Sequence, residues 1–244
     1  MADRLSQPIE ITEASSVKGL LTILLCFNAG FVDAAGFVAL GGLFAAHVTG
    51  NIVIIAAAVA HGDMPSLAKI IAMPVFAVVV IASRLFSQSM AARGRDDFRM
   101  LMAVKLVLLA HAGLVAVQSG PFPDPDTAAA TMMAMTLVSA MALQNALHRT
   151  HLTDTPPSTV MTGTLTQILL DLTSLWRPAV GADVAQNRAR LARMSTNLGA
   201  FALGCGTAGL LYLTVGMWCM LLPPLVAAAE IFTLGPDQSP VRAG

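Results

Sequence analysis

One carboxylate, Asp33, lies deep inside the otherwise apolar run 19–40. A charged side chain near the centre of a membrane segment costs about 2.5 to 3.5 kcal/mol on insertion scales. Asp33 therefore calls for a hydrated cavity, for a donor such as His47 or Asn145, or for a proton of its own, in which case it can relay protons. Two short polar elements interrupt apolar sequence at matching places in the two halves of the chain, His47-Val48-Thr49-Gly50-Asn51 and Val160-Met161-Thr162-Gly163-Thr164. Glycine lets the backbone turn, and Thr49, Asn51, Thr162 and Thr164 are residue types that cap a following half-helix. A helix that starts at mid-membrane aims unpaired N–H groups and a partial positive charge at the space before it. Two such ends would favour an anionic or strongly polar solute and oppose cations. Gly50 and Gly163 also permit close helix contact in lipid, which is the structural alternative. Gln144 and Asn145 carry amides that can bind a solute or link helices, and His111 lies at a depth where an imidazole needs a partner or carries protons. The candidate solute site is thus Asp33, His47, Thr49, Gly50, Asn51, Gln144, Asn145, Thr162, Gly163 and Thr164, with Asp33 and His111 as candidate proton relays.

These residues sit in a chain of 244 residues that is 56% hydrophobic and 11% charged, with a mean hydropathy of +0.72. That leaves too little polar surface for a water-soluble globule and points to a multispanning membrane protein. Fourteen basic and 14 acidic residues balance, so charge argues for neither nucleic acid nor an anionic substrate. Cys26, Cys205 and Cys219 lie in apolar runs without metal-type spacing, and neither a disulfide nor a metal is expected. No His-x-x-x-His pair of the helical metal-site type, Gly-x-Ser-x-Gly elbow, Walker loop or dinucleotide fingerprint is present, so an enzyme and a bound cofactor are not expected.

A spanning helix needs about 20 largely apolar residues. Six runs qualify, at 19–40, 67–86, 100–118, 128–147, 197–214 and 216–234, the last two separated by a tight turn at Val215 and Gly216. Two further runs, 43–60 and 158–175, are shorter or more polar and contain the Thr-Gly elements. Lys and Arg favour the cytoplasmic side of short loops. Arg93, Arg95 and Arg99 mark one inside loop, and Arg177, Arg188, Arg190 and Arg193 another. Residues 119–126, with Asp124, Asp126 and no basic residue, read as an outside turn. These assignments agree only if both short runs return to the face they left. The expected fold is an all-α polytopic membrane bundle of six spans plus two short re-entrant or broken helices, with both termini cytoplasmic. Its parts are a cytoplasmic tail at 1–17, a first membrane repeat at 18–118, the external turn at 119–126, a second repeat at 127–234 and a cytoplasmic tail at 235–244. Lys105 and Arg84 are expected to snorkel to headgroups and Glu230 to be interfacial. Residues 183–194 read either as an amphipathic helix on lipid or as a solvated loop.

Internal matching supports that count. Asp33 precedes Thr49 by 16 residues and Asn145 precedes Thr162 by 17, while Phe76-Ala77-Val78 resembles Phe201-Ala202-Leu203. Each half then holds three spans and one re-entrant element. A repeat with an odd number of spans inserts upside down relative to its partner, giving a 3+3 inverted repeat.

The ordered set Gly30-Phe31-Val32-Asp33-Ala34, Phe44 followed by Thr49-Gly50-Asn51, Leu143-Gln144-Asn145-Ala146 and Thr162-Gly163-Thr164 resembles the YoaK family of small bacterial multispanning membrane proteins of unknown function. Where that family usually has a Gly before Leu-Gln-Asn, this chain has Met141-Ala142. The resemblance implies an inner-membrane location and transfers no catalytic residue. The functional expectation is a transporter or channel for a small polar or anionic solute, with proton coupling through Asp33. The alternatives are a structural or regulatory membrane protein and, more remotely, a membrane enzyme. Its partners are the lipid bilayer and an unidentified solute, not nucleic acid, and association with further copies of the chain is left open.

Overall fold

The computed structural model describes residues 7–153, 155–177 and 183–234. Every element among them is helical: α1 Gln7–Ala39, α2 Gly50–Ala60, α3 Leu67–Ala92, α4 Phe98–Ser119, α5 Ala128–His151, α6 Met161–Trp176, α7 Val184–Val215, the 3-10 helix η1 Gly216–Leu221 and α8 Leu222–Thr233. In lipid each backbone polar group must be satisfied within its own segment, and a chain this apolar meets that demand with helices. Five segments are long and apolar enough to cross a membrane: Val17–Ala39, Leu67–Ala92, Phe98–Ser119, Ala128–His151 and Val184–Thr233. The last runs to 50 residues, too long for one straight helix across about 30 Å of hydrocarbon. Gly216 breaks it at φ +60°, and η1 leads into α8.

Side-chain contacts fix the helix directions. Leu25 and Gly36 of α1 meet Gln144 and Leu137 of α5, so the two are antiparallel. The α4–α8 pair is also antiparallel, since Arg99 bonds Leu234 just past α8, Lys105 bonds Glu230 and Gly113 abuts Met220 of η1 just before it. α3 and α5 run side by side in one direction, with Leu67 held by Asp126 at one end and Ser87 beside Thr150 near the other. α1 and α7 are likewise parallel and form the most extensive helix pair. They cross where Gly30 and Gly204 bring the two backbones together: a Cβ on Gly30 would collide with the Phe201 carbonyl, and one on Gly204 with that of Phe27. The apolar core, with Phe31, Leu109, Met133, Leu137 and Met141 fully buried, lies among α1, α4, α5 and η1.

α2 and α6 depart from this pattern. After α1 the chain turns at Gly41 (φ +61°) and Gly42 (φ +92°) and doubles back to the level of Asp33. That is six helical residues below Ala39, about 9 Å. α2 then leads back to the end from which the chain came, where Leu67 starts α3 beside Asp126. The chain after α5 does the same from the other end. Ser158 and Thr159 return to the level of Gln144 and Asn145, and α6 runs back until Asp171 meets Arg190 near the start of α7.

Several expectations are revised. Part of the tail expected at 1–17 is helical from Gln7; residues 1–6 and the tail expected at 235–244 lie outside the described residues. Residues 183–194 are neither a separate surface helix nor a loop. They form the opening turns of α7, with the Asp183 carboxylate accepting from the Gln186 N–H at 2.9 Å. Lys105 and Glu230 do not reach out to headgroups either. Both are fully buried and face each other at 2.6 Å, because two charges far inside apolar helices α4 and α8 lose less by pairing than by staying apart.

Candidate functional site

The site begins with Asp33, which is 3% exposed on α1. Its carboxylate takes the place of a helix end for the segment that doubles back. Oδ1 accepts from the N–H groups of Ala45 at 2.8 Å and Ala46 at 2.6 Å, and Oδ2 accepts from the His47 N–H at 3.2 Å and is bonded to its ring Nδ1. Buried backbone donors that neither helix nor water can satisfy thus find one acceptor. Of the two donors expected for Asp33, His47 is its partner and Asn145 is engaged elsewhere.

His47 is the hinge of the arrangement. Its ring packs edge-on against Phe201 of α7 with centroids 5.4 Å apart, and Phe201 also packs against the cluster that holds Met161, two residues past Thr159. Thr159 is the tip of the second doubled-back segment, where its hydroxyl donates to Asn145 Oδ1 at 2.5 Å. The tips of the two segments therefore converge on Phe201 beside Asp33, with the His47 side chain 33% exposed. Asn145 also donates to the Met141 carbonyl at 3.0 Å. Neighbouring Gln144 is fully buried and donates to the Leu25 carbonyl at 2.9 Å and to Ser158 Oγ at 3.2 Å. Gln144 thereby ties the second tip segment to α1.

The Thr-Gly elements play different parts from those their residue types suggested. Thr49 stands at the N-cap position of α2, exposed and without a side-chain cap bond. Asn51, 1% exposed, clamps the preceding turn: its Oδ1 accepts from the Phe44 N–H at 2.9 Å and its Nδ2 donates to the Phe44 carbonyl at 2.8 Å. Gly50 leaves room for the Phe44 ring, which a Cβ there would strike. Thr164 is buried within α6 and its hydroxyl donates back to the Val160 carbonyl at 3.0 Å, so it caps nothing. Thr162 and Gly163 are exposed in the first turn of α6, whose N-terminus has no side-chain cap. A threonine caps only from the position just before the first turn, and Thr162 and Thr164 already lie inside the helix. His111 sits on the exposed face of α4, and none of the site's contacts described above reaches it.

Two groups escaped the reading of the sequence. Thr159 precedes the Thr-Gly element and has no signature of its own, yet its hydroxyl holds Asn145. The Lys105–Glu230 pair, with Asn28 Nδ2 donating to Glu230 Oε1 at 3.3 Å, was readable as two lone opposite charges in apolar runs. As for metals, Asp96, Asp97 and His151 bring one ligand atom each within 4.8 Å of one another. Those atoms are already engaged, Asp97 by Ser87 and His151 and Asp96 by the Phe98 N–H.

A family model described as "Protein of unknown function (DUF1275)" matches residues 21–233. No curated protein and no solved structure matches the chain.

Proposed function

We propose, for a chain that belongs to the DUF1275 family, that it is an integral membrane carrier for a small polar or anionic solute, with Asp33 and His47 coupling solute movement to protons. In this reading α1, α3, α4, α5, α7 and the η1–α8 unit make six crossings. α2 and α6 re-enter from opposite faces, and the two halves form a 3+3 inverted repeat. The helix directions support it, since α1, α4 and α7 run one way and α3, α5 and α8 the other. The Arg-bearing ends of α3, α4 and α7 lie together at one end of the bundle, which the positive-inside rule assigns to the cytoplasm of a bacterial inner membrane, with both termini there. The likeness to the YoaK family belongs to the same reading.

The single observation that carries the proposal is the convergence of the two tips, through His47 and Met161, on Phe201 beside a buried carboxylate. Broken helices that meet near the midplane are where solute sites form in proteins of inverted design. The uncapped start of α6, with Thr162 and Gly163 exposed, offers N–H groups to water or solute at that depth. Protonating Asp33 removes acceptor capacity from Ala45, Ala46 and His47 and loosens the first tip, which gives a proton a means of opening the junction. An acidic group at depth suits such a carrier better than an open channel. A second reading, a structural or regulatory membrane protein, draws on Asn51 and Gln144, whose bonds all serve to hold the chain together.

Uptake into proteoliposomes, screened over small polar and anionic solutes with and without an imposed pH gradient, tests the proposal. The native protein accumulates one of them faster with the gradient, and Asp33→Asn, which keeps one acceptor oxygen, loses the gradient-driven part. Unchanged pH dependence in that variant would refute the coupling. Failure to move any solute, with the tips still held together, would favour the structural reading.

A further inference from the structure

Between α3, α4 and α5 lies a cavity of about 310 Å³. It reaches from Ser87, Arg149 and Thr150 at the Arg-bearing end to Phe76, near the middle of α3. Eleven helical residues separate Phe76 from Ser87, about 16 Å of depth. Its walls divide by chemistry. Phe76, Val80, Leu101 and Leu147 line the apolar part, while Arg84 and Arg149 line it toward the Arg-bearing end. Neither arginine has an acidic partner among the described residues. Asp97, which accepts from Ser87 at the rim, is already bonded to His151. A long apolar slot flanked by two unneutralised, fork-shaped donors fits neither a cation nor a fully hydrated ion.

We infer that this cavity binds a small amphiphilic anion, its carboxylate or phosphate head between Arg84 and Arg149 and its apolar body against Phe76, Val80 and Leu101. The volume is at the small end of ligand sites and suits a body of several carbons. The same chemistry is offered by a soluble organic acid and by an anionic lipid of the adjacent leaflet. Asn145 lines the inner part of the cavity and holds Thr159, so an occupant sits next to the hydrogen bond that fixes the second tip. The inference stands apart from the proposed function, since binding is measurable without flux.

The test is calorimetric titration of the full-length protein in phosphatidylcholine nanodiscs with octanoate, octylammonium or inorganic phosphate. Octanoate binds, while octylammonium and phosphate do not match it. The double variant R84Q/R149Q, altered only at exposed positions, weakens octanoate by at least about tenfold, the worth of one charge-assisted hydrogen bond. V80F, which occupies the apolar part, weakens it too, and thermal melting verifies that each variant is folded. Equal binding of octylammonium, equal binding of phosphate, or unchanged affinity in R84Q/R149Q would overturn the site. Repeating the titration in nanodiscs doped with phosphatidylglycerol separates the sources. Suppressed octanoate binding supports the site with a lipid headgroup as its occupant, and retained binding supports it with a soluble organic anion.

Discussion

Replacing Lys105 with Met while Glu230 stays in place lowers the stability of the protein by about 3–5 kcal/mol. Both side chains are fully buried, and the ammonium and carboxylate meet at 2.6 Å across α4 and α8. Asn28 adds one donor to Glu230 Oε1 and a second bond, 3.2 Å long, to the Pro223 carbonyl, so the pair also ties α1 to the start of α8. Deleting one charge leaves the other without compensation in a medium where an isolated charge is strongly disfavoured. Deleting both removes the problem, because desolvation cancels most of the gain from pairing. The double variant K105M/E230M therefore recovers most of the lost stability. Unfolding in mixed micelles, followed by circular dichroism as the fraction of sodium dodecyl sulfate rises, measures both. A double variant no more stable than K105M would show that the pair is not the unit holding these helices.

Gly204→Ala comes next in expected size, with a loss of about 3 kcal/mol, the upper part of the usual range for overpacking. The new methyl would collide with the Phe27 carbonyl oxygen and crowd the Phe31 nitrogen. Backbone atoms cannot rotate aside as a side chain does, so α1 and α7 must separate along their whole crossing. Gly30→Ala meets the Phe201 carbonyl from the other side and has a similar effect. The controls lie on the same helix, since Gly199, Gly206 and Gly209 have open space where a Cβ would go. Alanine at those positions leaves stability unchanged or raises it by up to about 1 kcal/mol through helix propensity. The same micelle titration distinguishes the two sets, and equal responses would show that close approach at Gly30 and Gly204 is not what joins α1 to α7.

Helices are legible in this sequence and their partners are not, for one physical reason. Membrane helices are written in local composition, and the runs at 67–86, 100–118 and 128–147 fall inside Leu67–Ala92, Phe98–Ser119 and Ala128–His151. The tight turn at Val215 and Gly216 was legible because a glycine followed a long apolar run. Partnership depends on which helices become neighbours. Hydropathy sees Lys105 and Glu230 as two isolated charges and places each at an interface, because nothing local pairs residues 125 positions apart. Asp33, a lone carboxylate in an apolar run, needs a donor, and His47 is one. The N–H groups of Ala45 and Ala46 are visible only once the chain is known to double back. Asn51 has the residue type of a cap, whereas its amide completes both hydrogen bonds of the Phe44 backbone.

Everything proposed for transport requires that α2 and α6 enter the membrane from opposite faces and return to the face they left. Side-specific labelling tests this in single-cysteine variants at Lys18, Met64, Asp124 and Trp176, made in a background in which Cys26, Cys205 and Cys219 are replaced. An impermeant maleimide is added to sealed vesicles of known orientation. Lys18→Cys and Trp176→Cys should react only from the cytoplasmic face, and Met64→Cys and Asp124→Cys only from the opposite one. If Met64→Cys reacts on the side of Lys18→Cys, or Trp176→Cys on the side of Asp124→Cys, a broken helix crosses completely and the meeting of two re-entrant tips cannot be the solute site.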